Sequence, residues 1–248
     1  MDDINPTLQA LWQETSETES VRQRLYQVLR QSIIQMVLAP GKALSEKEVA
    51  DAFSVSRQPV REAFIRLSEV GLVEVRPQRG TFVVKISRRA VLESRFVREA
   101  VEVAVVRQAT VKGLSPAVLE ELDELVERQR RCIQPHDSNR FYLLDERFHK
   151  TLSLAVGQQS AWKVIEEVRA QLDRVRYLSV PDTTPIARLV EQHADILSAI
   201  EERDVAQAEH AMRRHLREIL VSLPDLVQRF PEMFDAQETL SFIEEDAS

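Results

Sequence analysis

The stretch "SEKEVADAFSVSRQPVREAFIRL", Ser45 to Leu67, constrains the fold more than any other part of the chain. Ser45 and Glu48 stand three apart, the spacing of a capping box. A short helix therefore opens at Ser45, with Val49, Ala50 and Phe53 on its inner side. "SVS" makes a tight turn, and Ser56 caps the next helix. Pro59 falls in the first turn of that helix, where a missing N–H does no harm. Val60, Ala63, Phe64 and Leu67 recur at the helical period and face inward, and Gly71 ends the helix.

Upstream, Leu25, Val28, Leu29, Ile33 and Met36 keep the 3.6-residue period, which predicts a helix over 20–38, stopped by "APG". Downstream, "LVEV" and "TFVV" read as two short strands around the loop "RPQRG". Helix, helix, helix and hairpin over 20–86 outline a winged helix-turn-helix. Residues 1–19 are polar, acidic and weakly periodic, and read as a flexible tail. From Arg88 onward no strand signal occurs. Periodicity places helices near 88–112, 115–133, 138–156, 159–178, 186–203 and 204–222, with breaks at "GLSP" and "PDTTP". The fold class expected is mainly α. A winged helix-turn-helix with a small β-hairpin wing is followed by an antiparallel helical bundle over 87–230 and a C-terminal tail over 231–248.

Composition narrows the function. The 248 residues carry 33 Lys plus Arg against 40 Asp plus Glu, a net charge of −7. From Ser20 to Arg89, however, 13 basic residues face 6 acidic ones, so this segment is +7 and the remainder −14. That asymmetry suggests a polyanion partner for the first part only. Five glycines make a Gly-rich phosphate cradle or a β-sandwich improbable. No apolar run reaches the roughly 20 residues of a membrane span. The single cysteine, Cys132, excludes an internal disulfide framework and fits a reducing cytosol, so the expected location is cytoplasmic.

Arg57, Gln58 and Arg61 lie opposite the buried face of the third helix, in the turns that meet base edges in helix-turn-helix proteins. Arginine can bridge guanine O6 and N7 with two hydrogen bonds. Arg79 and Gly80 sit at the hairpin tip, a basic point able to approach a groove closely. The stretch "LAPGKALSEKEVADAFSVSRQPVREAFIRLSEVGLVEVRPQRGTFV" resembles the DNA-binding domain of the GntR family of bacterial transcription regulators. The resemblance implies DNA contacts from Lys47 in the second helix, from Arg57 and Arg61, and from the wing glycine, Gly80. Gln58 occupies a variable base-reading position, and Arg79 a polar wing position.

The helical half carries a second constellation. Asp145 and His149, four apart, share a face with Phe141, Leu144, Phe148 and Leu152. His193 falls within the apolar stripe of the next-to-last helix, and His215 within that of the last. Any one of these is readable as a hydrogen-bonded core histidine. Together, one Asp and three His make a donor set suited to zinc, nickel or another divalent ion. Periodicity gives their facing direction, not their distance. Residues 88–222 are similar to the all-helical effector domain of the FadR subfamily of GntR regulators. The pattern D-x-x-x-H, a later His before an apolar helix, then M-x-x-H is matched by "DERFH", "EQHADIL" and "MRRH". That resemblance implies a divalent metal, zinc first, on Asp145, His149, His193 and His215, facing a cavity for a carboxylate effector. It implies an effector-binding role for Arg98, with Arg176 as a second candidate.

The reading that results is a homodimeric, metal-containing transcription regulator. It would repress from an inverted-repeat operator in double-stranded DNA and be released by a small organic acid. A loose resemblance to repressors of sugar-acid breakdown points to a sugar acid. Two alternatives stand beside it, a DNA-binding regulator whose metal is purely structural and a metal-dependent hydrolase. The hydrolase reading leaves the winged module unexplained, and no HExxH motif is present.

Overall fold

The computed structural model describes residues 6–16, 18–134, 137–180 and 184–236. His136 and residues 181–183 of the "PDTTP" break lie outside the described residues. The chain divides into two compact units. One comprises the residues up to Arg88 together with those from Phe230 onward, and the other runs from Arg89 to Arg229.

In the first unit, helices α1 (Pro6–Glu14) and α2 (Val21–Ile34) precede strand β1 (Ala43–Leu44), and α3 (Glu46–Ala52) and α4 (Arg57–Glu69) follow. Strands β2 (Val73–Arg76) and β3 (Gly80–Val83) complete it. Ser20 and Ser45 cap α2 and α3, each accepting a bond from the backbone N–H three residues on at 3.3 Å. Val60, Ala63, Phe64 and Leu67 of α4 are all buried. Ser56 stands at the N-cap of α4 with extended backbone, but its hydroxyl makes no capping bond, contrary to the sequence reading. The three strands form an antiparallel sheet in the order β1-β3-β2. The third strand, β1, is two residues long, too short to leave a period of two in the sequence.

Three further differences have physical causes. Helix α2 ends at Ile34 rather than near Leu38, because Met36 takes a left-handed backbone (φ 59°) that a right-handed helix cannot contain. Part of the presumed N-terminal tail is helical. Leu8 is buried, the Trp12 ring lies 4.9 Å from that of Phe53, and the Arg24 guanidinium covers Trp12 at 4.1 Å. Gln9 Nε2 also donates to the Ala52 carbonyl at 2.7 Å, satisfying an acceptor at the C-terminal end of α3. The presumed C-terminal tail likewise begins with ordered chain. A 3₁₀ turn at Pro231–Met233 places Phe234, 1% exposed, beside Ile86. The Ile86 N–H donates to the Met233 carbonyl at 2.8 Å, and the Asp235 N–H to the Ile86 carbonyl at 3.0 Å.

The second unit is helical: α5 (Arg88–Lys112), α6 (Pro116–Arg130), α7 (Ser138–Ala155), α8 (Gln159–Val168), α9 (Ala170–Ser179), α10 (Ile186–Glu201) and α11 (Val205–Arg229). Val106, Leu122, Phe141, Phe148, Ile196 and Met212 belong to one continuous apolar core to which α5, α6, α7, α10 and α11 contribute. The helix expected over 159–178 is broken at Arg169. No Pro or Gly marks that break. The Arg169 side chain, 4% exposed, is drawn inward to Glu146 at 2.5 Å and to Asp173 at 3.2 Å. Helix α11 runs seven residues past the expected end at 222, through Pro224. Leu223 and Leu226 stay buried on either side of the proline. That apolar face offsets the backbone hydrogen bond the proline cannot make. Among the described residues, no helix is long and apolar enough to cross a membrane.

Candidate metal centre and nucleic-acid interface

Helix α7 delivers Asp145 and His149 one turn apart, α10 delivers His193 and α11 delivers His215. All four are buried, and one potential ligand atom from each lies within 4.8 Å of the others. His215 Nε2 is 3.1 Å from His149 Nε2 and 3.2 Å from His193 Nε2. Asp145 Oδ1 is 3.6 Å from His193 Nε2 and 4.0 Å from His149 Nε2.

The far side of each ring explains which nitrogen faces the centre. His193 Nδ1 lies 2.6 Å from Gln129 Oε1, and the Gln129 amide nitrogen is engaged by the Leu144 carbonyl at 3.2 Å. His215 Nδ1 lies 3.1 Å from Gln192 Oε1, and the Gln192 amide nitrogen is engaged by Glu218 at 2.9 Å. His149 Nδ1 lies 2.5 Å from Glu102 Oε2. For His193 and His215 the partner presents an amide oxygen, which fixes the ring proton on Nδ1 and leaves Nε2 as a lone pair; His149 Nδ1 meets the Glu102 carboxylate as a close ion contact outside hydrogen-bond geometry. The Nε2 atoms of the three rings and a carboxylate oxygen converge in a buried space. Asp145 Oδ1 is buried with no hydrogen-bond partner. Converging acceptors with no donor are unfavourable in a low-dielectric interior, and a cation satisfies all of them together. The donor set, three imidazoles and one carboxylate, fits zinc or a similar divalent ion.

Electrostatics agree with that arrangement. Although burial opposes its ionisation, Asp145 is held well below the ordinary carboxylate range, chiefly by the Arg176 guanidinium beside it. Burial pushes His193 down to about 3 and His215 well below its ordinary value, so both are neutral near pH 7.

Arg98 and Arg176, the two candidate effector arginines, lie beside the cluster. Arg176 pairs with Asp145 Oδ2. Arg98 Nε donates to Glu102 Oε1 at 2.5 Å. Both arginines, with His215, Ser179 and Thr184, line a cavity of about 30 Å³. That space holds a water or two. An organic acid needs the arginines to change partners. Sequence reasoning missed Glu102, Gln129 and Gln192. Their signal was weak but present, since each stands on an inward-facing position of its helix and is buried.

In the other unit, Lys47, Arg57, Gln58, Arg61, Arg79 and Gly80 are all exposed. Arg61 makes two bonds to Glu46, at 3.0 and 2.9 Å, and Gln58 donates to Glu62 at 3.1 Å. Gly80 has φ 105° with open space where a side chain would stand, so backbone conformation alone calls for glycine. The wing turn before it also uses a positive φ, at Gln78.

A winged helix-turn-helix followed by an all-helical unit with a buried His/Asp cluster defines a DNA-binding regulator with a second, separate domain. Residues 21–83 match the bacterial regulatory proteins of the gntR family, and residues 93–218 match the FCD domain. The HTH-type transcriptional repressor RspR of Escherichia coli (strain K12) is 41% identical over 224 residues, 90% of this chain and 98% of that protein. The gluconate operon transcriptional repressor of Bacillus subtilis (strain 168) is 25% identical over 203 residues, 80% of this chain and 83% of that one. The solved structure of E. coli McbR/YncC superposes with a TM-score of 0.72 at 21% identity, covering 86% of this chain and 99% of that one, and so shares the fold. The chain belongs to the GntR family and carries an FCD effector domain; it is a DNA-binding transcription regulator, not an enzyme.

Proposed function

We propose that the protein is a homodimeric repressor of the FadR subfamily, acting in the cytoplasm. A divalent ion, zinc first and nickel next, is held by Asp145, His149, His193 and His215. The reading is carried by one observation: three imidazole Nε2 atoms and a carboxylate oxygen without a hydrogen-bond partner meet beside a cavity lined by two arginines. When bound, the ion would supply a Lewis-acid partner for a carboxylate. Arg98 and Arg176 would orient that carboxylate by charge-assisted hydrogen bonds.

The effector is a small organic acid, and a sugar acid is the first class to test. The similarity to a gluconate operon repressor supports that choice. Arg57, Gln58 and Arg61 read bases, while Lys47, Arg79 and Gly80 engage backbone and groove. Two-fold protein symmetry calls for an inverted-repeat operator. Effector binding would alter the placement of two DNA heads against half-sites of fixed spacing, and so lower operator affinity.

A purely structural metal is the second reading, favoured by the small cavity and by Arg176 already committed to Asp145. One experiment separates the two. Operator release is followed by fluorescence anisotropy while sugar acids are titrated onto metal-loaded and metal-stripped protein. The first reading predicts release from the loaded form alone. Failure of a sugar-acid panel to release either form would support the second.

A further inference from the structure

The three imidazoles of the cluster are not held alike. His193 and His215 face neutral amides, those of Gln129 and Gln192. His149 faces a carboxylate, with Nδ1 2.5 Å from Glu102 Oε2. The other oxygen of Glu102 accepts from Arg98 Nε at 2.5 Å. Glu102 is 1% exposed, so water competes for neither contact. Arg98 also lines the cavity next to His215. One carboxylate thus joins a ring of the cluster to a guanidinium at the cavity wall.

A carboxylate is a stronger acceptor than an amide. Its negative charge, 2.5 Å from Nδ1, raises the electron density at Nε2 and makes His149 the better donor. A guanidinium on the opposite oxygen withdraws part of that charge. An anion that engages Arg98 returns the charge to Glu102 and, through it, to His149. Resting on the metal reading above, we infer that Glu102 is a positioning residue. It fixes the His149 ring and relays charge from Arg98 to Nε2, so that an anion at Arg98 strengthens metal binding through the protein, in addition to any bond it makes to the ion. By linkage, the anion binds more tightly to the loaded protein.

The test uses the full chain with zinc as the only ligand. Zinc affinity is measured against a colorimetric chelator, and the imidazole N–H resonances are followed by NMR with ¹⁵N-labelled histidine. In the wild type the His149 Nδ1–H signal should lie downfield of the other two. Glu102→Gln should bind zinc about 10–100-fold more weakly and bring that signal upfield, leaving those of His193 and His215 in place. Arg98→Gln should move it further downfield and tighten zinc binding. A wild type that takes up no zinc would overturn the metal reading itself. Uptake by the wild type, with Glu102→Gln matching it in affinity and spectrum, would overturn the relay alone. Should Glu102→Gln lose its far-UV dichroism, Arg98→Gln decides: an unmoved His149 signal would overturn the relay.

Discussion

Arg176 grips one oxygen of the Asp145 carboxylate and leaves the other, Oδ1, aimed at His193 Nε2 across 3.6 Å. The pair lies on two helices, α7 and α9, and Asp145 is fully buried. Arg176→Ala strips a buried carboxylate of its principal cation, which costs about 3–5 kcal/mol. A divalent ion on Oδ1 restores much of that balance. The variant should therefore melt well below the wild type when metal-free, and the gap should narrow on zinc addition. Equal gaps with and without zinc would separate Asp145 from the metal site.

Proton release offers an independent check. Three imidazoles at their ordinary value would give up about two protons on binding a metal at pH 6. His193, pushed down to about 3, and His215, well below its ordinary value, carry no proton to lose there, and Asp145 is already ionised. Calorimetric titration of zinc at pH 6, in buffers of different ionisation enthalpy, should register release of fewer than two protons from the site. Two or more would mean that the rings are not shielded as the structure places them.

On the DNA side, Arg57→Ala and Arg61→Ala should each weaken operator binding by about 1–3 kcal/mol while binding to random duplex falls much less. Lys47→Ala should weaken both and flatten the salt slope by about one unit. Arg61 is held by Glu46 in the free protein, and that hydrogen bond keeps the Glu46 carboxyl below its usual range. Glu46→Gln should accordingly strengthen binding to random duplex, because it removes a negative charge from the phosphate-facing side. Gel-shift titrations over a salt series read all four variants.

Phe234 gives a stability prediction that the sequence did not suggest. It is buried beside Ile86 in the DNA-binding unit, far along the chain from the helix-turn-helix and the wing. Phe234→Ala should destabilise this unit by about 3–5 kcal/mol. Trp12→Ala should act in the same direction through Phe53 and Arg24. Hydrogen exchange of the α3 and α4 amides, compared with those of α10, would show whether the loss is confined to one unit.

What was legible in the sequence follows physical scale. The helix-turn-helix could be read because caps, turn and apolar period act within a few residues of one another. Asp145, His149, His193 and His215 could be read because polar residues on an apolar stripe are conspicuous. Their approach to within 4.8 Å could not, since a period gives direction along one helix and nothing across three. Glu102, Gln129 and Gln192 escaped notice for a related reason: Glu and Gln are common helix formers, and only tertiary contact separates a ring-orienting carbonyl from a solvated one. The break at Arg169 and the anchoring of Phe234 also depend on partners remote in sequence. Short segments such as β1 and α1 carry too few residues to reveal a period.

The central claim is that Asp145, His149, His193 and His215 hold one divalent ion, and metal stoichiometry tests it most directly. Chelator-stripped protein is reloaded with zinc, dialysed and analysed for metal, with the melting temperature recorded alongside. The account predicts one ion per chain and a rise in melting temperature, because only the folded chain assembles the site. It predicts neither for His193→Ala, and both for His210→Ala, whose side chain is exposed on α11 away from the cluster. Wild-type protein that binds no zinc at micromolar concentration, or His193→Ala that binds it as well as wild type, would contradict it.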